Sequence, residues 1–382
     1  MKAFRLIFFY FIFFIPLTLL SEIIIKSNSM DVDYRNNYFT LNGNVSVNTK
    51  DYFMTADNLI YKKQEKTIMA SGNIVIEFIK DKRRVNANTM IKDKSSTFFT
   101  GNPVRFVDFD KERTIDGNSI RIIKKDNDES IYVDGNVVIT TDKMKIESEK
   151  IEYYSSQKIM LINGKSIIKK DDYSIKTYGI KYIEDEKLLI FDKETEIEKN
   201  KMSVLAKKGF YNEKEDLIDT EDVIYKKDDT IILSEKLKSF KSNNSNIYSF
   251  KGVREIKDKN MKGKTKEIEY DEKNDILVMK GDAFIQDTEK DLDIISDVIR
   301  MDRKQDKAFL VGSVNIRQKD KVITSSIGYY DKKNDKIVMT GNPIYKKGND
   351  ITYAQVIILD TKTNNVIMQG EIKGKFDIRK VK

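Results

Sequence analysis

The stretch FTLNGNVSVNTKDYFMTADNLIYKKQEKTIMASGNIVI, residues 39–76, decides the fold. It holds two glycine-centred segments 29 residues apart, at Gly43 and Gly72, with one different segment between them. Around Gly43 the apolar residues Phe39, Leu41, Val45 and Val47 sit at −4, −2, +2 and +4, and around Gly72 the same places hold Ile68, Ala70, Ile74 and Ile76. Even spacing puts one face of a β-strand in the core and the other in water. Residue −1 is polar (Asn42, Ser71), as an outward position requires. On this parity the glycine itself is expected on the inward side of a bend.

The same grammar returns at Gly101, Gly135, Gly164, Gly252, Gly281, Gly312, Gly341 and Gly370. Most spacings are 29 residues, and one gap of 88 between Gly164 and Gly252 has room for two degenerate copies near Asp192 and Glu221. A fixed period over nearly the whole chain signals a repeat architecture in which each unit stacks on its neighbours. Midway through each period lies a second strand of form small–x–x–aliphatic–x–aromatic: ADNLIY ending at Tyr61, SEKIEY at Tyr153, TYGIKY at Tyr182 and TKEIEY at Tyr270. Its fourth and sixth residues share a face. Polar turns such as KKQEK (62–66), DEKND (271–275) and DKKND (331–335) follow it and suit antiparallel neighbours. Position −3 breaks the alternation, being apolar in Met69, Phe98, Tyr132, Val278 and Phe309. The expected fold is all-β: an elongated, twisted β-jellyroll or solenoid-like stack of about twelve repeats over 28–382, with no helix after the first 21 residues.

Composition narrows the chemistry. The chain has 382 residues, no Cys and no His, which excludes disulfides, thiolate or histidine metal sites and a Ser-His-Asp triad. No cofactor and no metal is expected, and no enzymatic activity. Hydrophobic residues at 40% suffice for a core, so wholesale disorder is excluded. A net charge of +8 arises from 69 basic and 61 acidic residues of interspersed sign, which reads as a solvated surface. No recognition helix or stacking pair points to nucleic acid. Asp57, Glu149 and Asp297 recur on the outward strand edge, and their repetition argues for surface turns rather than a paired-acid site. The DKKND and DEKND turns lack the spacing of a calcium loop.

At the N-terminus, Lys2 and Arg5 precede an apolar run over residues 6–20. Its length suits an export signal and is short for a membrane span. Residues 1–21 are therefore read as a signal peptide or a retained membrane anchor, with the rest of the chain outside the cytoplasm.

The ordered motifs GNVSV (43–47), TADNLIY (55–61) and KTIMASGN (66–73), returning as GDAFIQ (281–286) through KAFLVGSV (307–314), resemble the OstA-like, LptA-type family of lipopolysaccharide transport. The resemblance implies a β-jellyroll whose apolar interior carries the acyl chains of lipopolysaccharide or lipooligosaccharide across the periplasm. It also implies edge-to-edge strand pairing with LptC-type and LptD-type jellyrolls, or with a second copy. The chain is longer than a typical LptA-type protein, and its end at Lys382 is expected to leave no room for an LptD-type barrel. Under this reading the groove is lined by Leu41, Val45, Val47, Leu59, Ile74, Ile76, Val137, Ile139, Ile151, Ile268, Ala283, Ile285, Ile299, Val314 and Ile316. A period of two does not distinguish a hollow interior from a filled one, so a structural or adhesive exported repeat protein with a solid core is the alternative.

Overall fold

The computed structural model describes residues 23–375, apart from residues 81, 111, 126–127, 171–172 and 243. The signal or anchor segment, 1–21, lies outside the described residues. These form thirty strands and no helix. The chain folds as two compact units, one ending at Asn200 and the other starting at Lys201.

The first unit is an antiparallel meander. Its long strands run from Tyr38–Asn48, Tyr52–Lys62 and Thr67–Phe78 through to Tyr173–Ile183, each paired with its sequence neighbours. Ile24–Lys26 and Ser29–Asp33 flank Tyr38–Asn48 on its other side. The second unit repeats the arrangement from Leu217–Lys227 and Thr230–Ser242 to Lys321–Asp331.

Every long strand bends at its middle, and the register shows how. Asn42 lies opposite Asn58, but Val45 lies opposite Ala56. The glycine strand therefore spends one more residue on the corner than its neighbour does. Gly43 and Asn44 take φ of 71° and 47°, Gly72 and Asn73 take 74° and 45°, and Gly312 and Ser313 take 75° and 45°. Two successive left-handed residues make the bulge, and glycine reaches that region without a Cβ penalty. On the glycine strand the inward residues Leu41 and Val45 are thus four apart, while on the next strand Ala56 and Leu59 are three apart and equally buried. The small–x–x–aliphatic motif is the partner's half of the corner.

The inward placement expected for the anchor glycine is corrected by this geometry. A Cβ on Gly72 would lie 2.1 Å from a carboxylate oxygen of Asp57, an exposed residue on the preceding strand. The glycine faces the outside of the corner. Asp57 in turn accepts a hydrogen bond from the Asn73 amide at 3.0 Å. Inside the corner the small residue is often a hydroxyl. The Ser296 Oγ lies 3.0–3.1 Å from the carbonyl oxygens of Val298, Val311 and Gly312. Its single proton is within reach of all three and goes to one carbonyl at a time.

The degenerate copies keep the corner without the glycine. At Asp192 the strand breaks into Leu188–Phe191 and Thr195–Lys199, both paired with Tyr173–Ile183. At Glu221 the next residue, Asp222, supplies the left-handed φ of 53°.

The apolar residues at −3 also find an explanation. Ile60, Met69, Ile91 and Phe98 are successive cross-strand partners in one row on the outer surface. In the second unit Arg300, Phe309, Tyr329 and Val338 form the equivalent row, with the Phe309 and Tyr329 rings 5.0 Å apart. Cross-strand pairs of this kind stabilise a sheet by about 0.2–1 kcal/mol each.

Candidate functional site

Each bent strand gives two limbs whose buried faces close on one another, leaving a mouth where the turns of one limb meet those of the other. In the second unit polar bonds span that mouth. The Lys227 ammonium reaches Glu272 at 2.7 Å and the Tyr270 hydroxyl at 3.5 Å. Arg303 meets Asp258 at 3.2 Å and, on its own limb, Asp275 at 3.8 Å. Lys290 pairs with Asp335 and lies 2.9 Å from the Tyr330 hydroxyl. Further along, the Gln318 amide donates to the Thr361 carbonyl at 2.8 Å. The partners lie 43 to 45 residues apart in these bonds (40 for Lys290 to Tyr330), about one and a half repeats.

Burial disfavours the charged forms here, yet the pairs overcome it. The Lys227 ammonium is desolvated, but its bonds to Glu272 and Tyr270 hold its pKa above the ordinary lysine value. Glu272 is desolvated too, and Lys227 and Asn246 hold its carboxyl below the usual range. Lys290 follows the same pattern, with Asp335 outweighing its burial.

Behind the mouth the interior is uneven. At one end Tyr225, Tyr248 and Phe250 make an aromatic plug, with Tyr225 5.2 Å from Phe250 and 5.7 Å from Tyr248. Desolvation pushes the Tyr225 and Tyr248 hydroxyls well above the normal tyrosine range, so both stay protonated. Next comes a cavity of about 40 Å³ bounded by Ile256, Gly263, Leu277 and Met279. A larger one of about 230 Å³ adjoins it, with an apolar floor of Ile285, Ile294, Ile299, Met301 and Leu310 and a rim of mixed charge. Met261, Ile285, Met301, Asp258 and Arg303 line both.

In the first unit a cavity among Val85, Phe99, Phe106, Ile115, Ile120 and Val133 measures about 10 Å³. Toward its mouth Asp108 is buried between Arg83 at 3.3 Å and Arg113 at 3.4 Å, the two residues paired with it in register. Desolvation lowers the Arg113 pKa, and Asp108 offsets part of that.

All the residues expected to line the groove point inward and are buried: Leu41, Val45, Val47, Leu59, Ile74, Ile76, Val137, Ile139, Ile151, Ile268, Ala283, Ile285, Ile299, Val314 and Ile316. Ile285 and Ile299 border the larger cavity. The bonds across the mouth were not anticipated, because their residues sit in turns that read as plain solvated loops. The recurring offset of about 45 residues between opposite charges is the signal that could have found them. The leading aspartates of the DEKND and DKKND turns cap their own turns, Asp271 accepting from the Asn274 backbone at 3.1 Å and Asp331 likewise from Asn334, whereas Glu272, Asp275 and Asp335 belong to the ion pairs at the mouth. Among the described residues no cluster of three or more acidic side chains is placed to hold a metal ion. No described helix is long and apolar enough to cross a membrane.

Bent antiparallel strands, apolar inside and in the second unit bridged by polar bonds at the mouth, define a β-jellyroll. The family model described as LptA/(LptD N-terminal domain) LPS transport protein matches residues 24–187 and 203–307, more than half of the chain. The chain belongs to this family of lipopolysaccharide-transport proteins. Among solved structures it matches the crystal structure of LptH, the LptA homologous periplasmic component of the lipopolysaccharide transport device of Pseudomonas aeruginosa. That match has 13% identity and a TM-score of 0.28, over 31% of this chain and 94% of LptH. A search of curated proteins found no match.

Proposed function

We propose that the chain is a non-enzymatic periplasmic carrier that holds the acyl chains of lipopolysaccharide or lipooligosaccharide inside its jellyroll, with the repeat region 28–382 as the part that handles lipid. The observation that carries this reading is the cavity of about 230 Å³ in the second unit, apolar beneath and charged at its rim. That distribution matches an amphiphile, whose chain gains by leaving water while its head stays wet. Membership of the lipopolysaccharide-transport family supports it. The groove extends over the inward face formed by the residues named above.

Partner jellyrolls of LptC and LptD type, or a second copy, join through the edge strands. Ile24–Lys26 and Ser29–Asp33 in the first unit, and Val366–Gln369 in the second, are short strands with exposed Ile24, Ile25, Met30 and Ile367. Unpaired strand edges accept another strand. Crosslinking and light scattering at high concentration should reveal assemblies, and strictly monomeric behaviour would count against this part.

The test of transport is depletion of the protein, which should leave the glycolipid at the inner membrane; an unchanged lipid distribution rejects it. A second reading, a structural or adhesive protein with a solid core, is favoured by the close packing around the small cavity at Val85, Phe99 and Phe106. Photo-crosslinkers at Val45, Ile74, Ile139 and Ile285 separate the two. Lipid adducts at Ile285 support the carrier, and protein-only adducts at all four positions support the solid core.

A further inference from the structure

Met301 and Arg303 stand where two cavities adjoin, and nothing in the family assignment gives that position a role. Met301 is on the inward row, opposite Leu277 on one side and Ala308 on the other. Arg303, two residues on, is held across the mouth by Asp258 and from its own limb by Asp275. Both line the cavity of about 40 Å³ and the cavity of about 230 Å³. Beyond the smaller cavity lies the aromatic plug of Tyr225, Tyr248 and Phe250. The larger one is bounded at its other side by Tyr330, whose hydroxyl meets Lys290. The interior of the second unit is therefore a compartment with two tyrosine ends and one internal partition.

We propose that Met301, with Arg303 pinned beside it, is a stop that sets the length of acyl chain the second unit accepts. The proposal rests on the reading of this interior as a lipid site and adds a determinant of specificity to it. An acyl chain entering the larger cavity runs along Ile285 and Ile299 until it meets the Met301 side chain. Past that point the smaller cavity has space for further methylenes, but the thioether and the arginine stem fill the passage. Each methylene buried is worth about 0.8 kcal/mol, or roughly four-fold in affinity, so affinity climbs with chain length and levels off where the chain reaches the stop. Methionine suits a stop of this kind, being long and apolar. Arginine held by two carboxylates swings aside only by giving up both ion pairs.

The experiment is a competition series on the full chain, in which saturated fatty acids from octanoate to octadecanoate displace the fluorescent fatty acid cis-parinaric acid. The wild type is expected to gain affinity with length and then plateau. Met301→Ala should move the plateau to longer chains by about two methylenes, with more than ten-fold tighter binding of the longest acids. Arg303→Gln should move it in the same direction, and Ile79→Ala, on the exposed surface of the first unit, should leave it in place. Circular dichroism melts establish that each variant is folded. Met301→Ala removes no charge and decides the matter by itself if Arg303→Gln does not fold. An unchanged plateau in Met301→Ala, with the probe still binding, overturns the stop and leaves the lipid site standing. Failure of the probe to bind the wild type overturns both.

Discussion

Gly312 and Gly348 both have positive φ, 75° and 58°, but their surroundings differ. A Cβ on Gly348 meets nothing within 4 Å, so Gly348→Ala should cost only the left-handed penalty of about 1–2 kcal/mol. A Cβ on Gly312 would sit 2.3 Å from a carboxylate oxygen of Asp297, and Gly312→Ala should cost more. Pairing it with Asp297→Ala should recover part of the difference, which urea melts of the four variants would show. Ser296 offers a second check at this scale. Its hydroxyl serves three carbonyls, so Ser296→Ala should lose about 1 kcal/mol while Ser296→Thr holds. Thr265 fills the equivalent place and bonds the Lys280 and Gly281 carbonyls at 2.8 and 3.2 Å.

Between neighbouring elements the polar bonds across the mouth are sensitive to pH, and the sign can be worked out. Glu272 binds its proton less readily folded than unfolded, so its contribution is present above the unfolded value of 4.5 and fades as pH falls. Lys227 binds its proton more tightly when folded, so its contribution is complete below 10.5 and fades as pH rises through the folded value. The pair therefore contributes fully between about 4.5 and 10.5. Lys227→Met should destabilise the protein at pH 7 and less so near pH 3.5, where the abandoned carboxylate is neutralised; an equal deficit at both would show that the lysine acts only through packing. Such bonds join turns through space and leave only a long-range offset between opposite charges in the sequence, whereas the strands were legible because a period of two is local. The corner was half legible. Glycine at the anchor was plain, but the phase change that lets Ala56 and Leu59 share a face depends on the bulge in the neighbouring strand, and a parity count on one strand cannot see it. The residues expected to line a groove followed from the same parity, and parity places them inward without saying whether the interior there is hollow or filled.

For the molecule as a whole, the absence of histidine and cysteine leaves no side chain with an ordinary pKa between about 5 and 8. The urea midpoint is expected to be flat from pH 6 to 8, and a slope there would mean that a carboxyl or ammonium group is shifted far from its usual range. Oxidants should not crosslink the chain either. Both statements follow from composition alone and hold for each unit. The bulge at the glycine corners carries a further consequence. Because the extra residue belongs to the glycine strand on both of its sides, loss of one residue there puts half of that strand, and its pairing with two neighbours, out of phase. Gain or loss of a whole glycine-strand and partner pair disturbs no register at all. Genetic change in this chain is therefore filtered by its size: single-residue insertions and deletions near a corner are severe, while tandem duplication of about 29 residues is nearly silent, and copy number becomes the easy variable through which such a protein changes its reach.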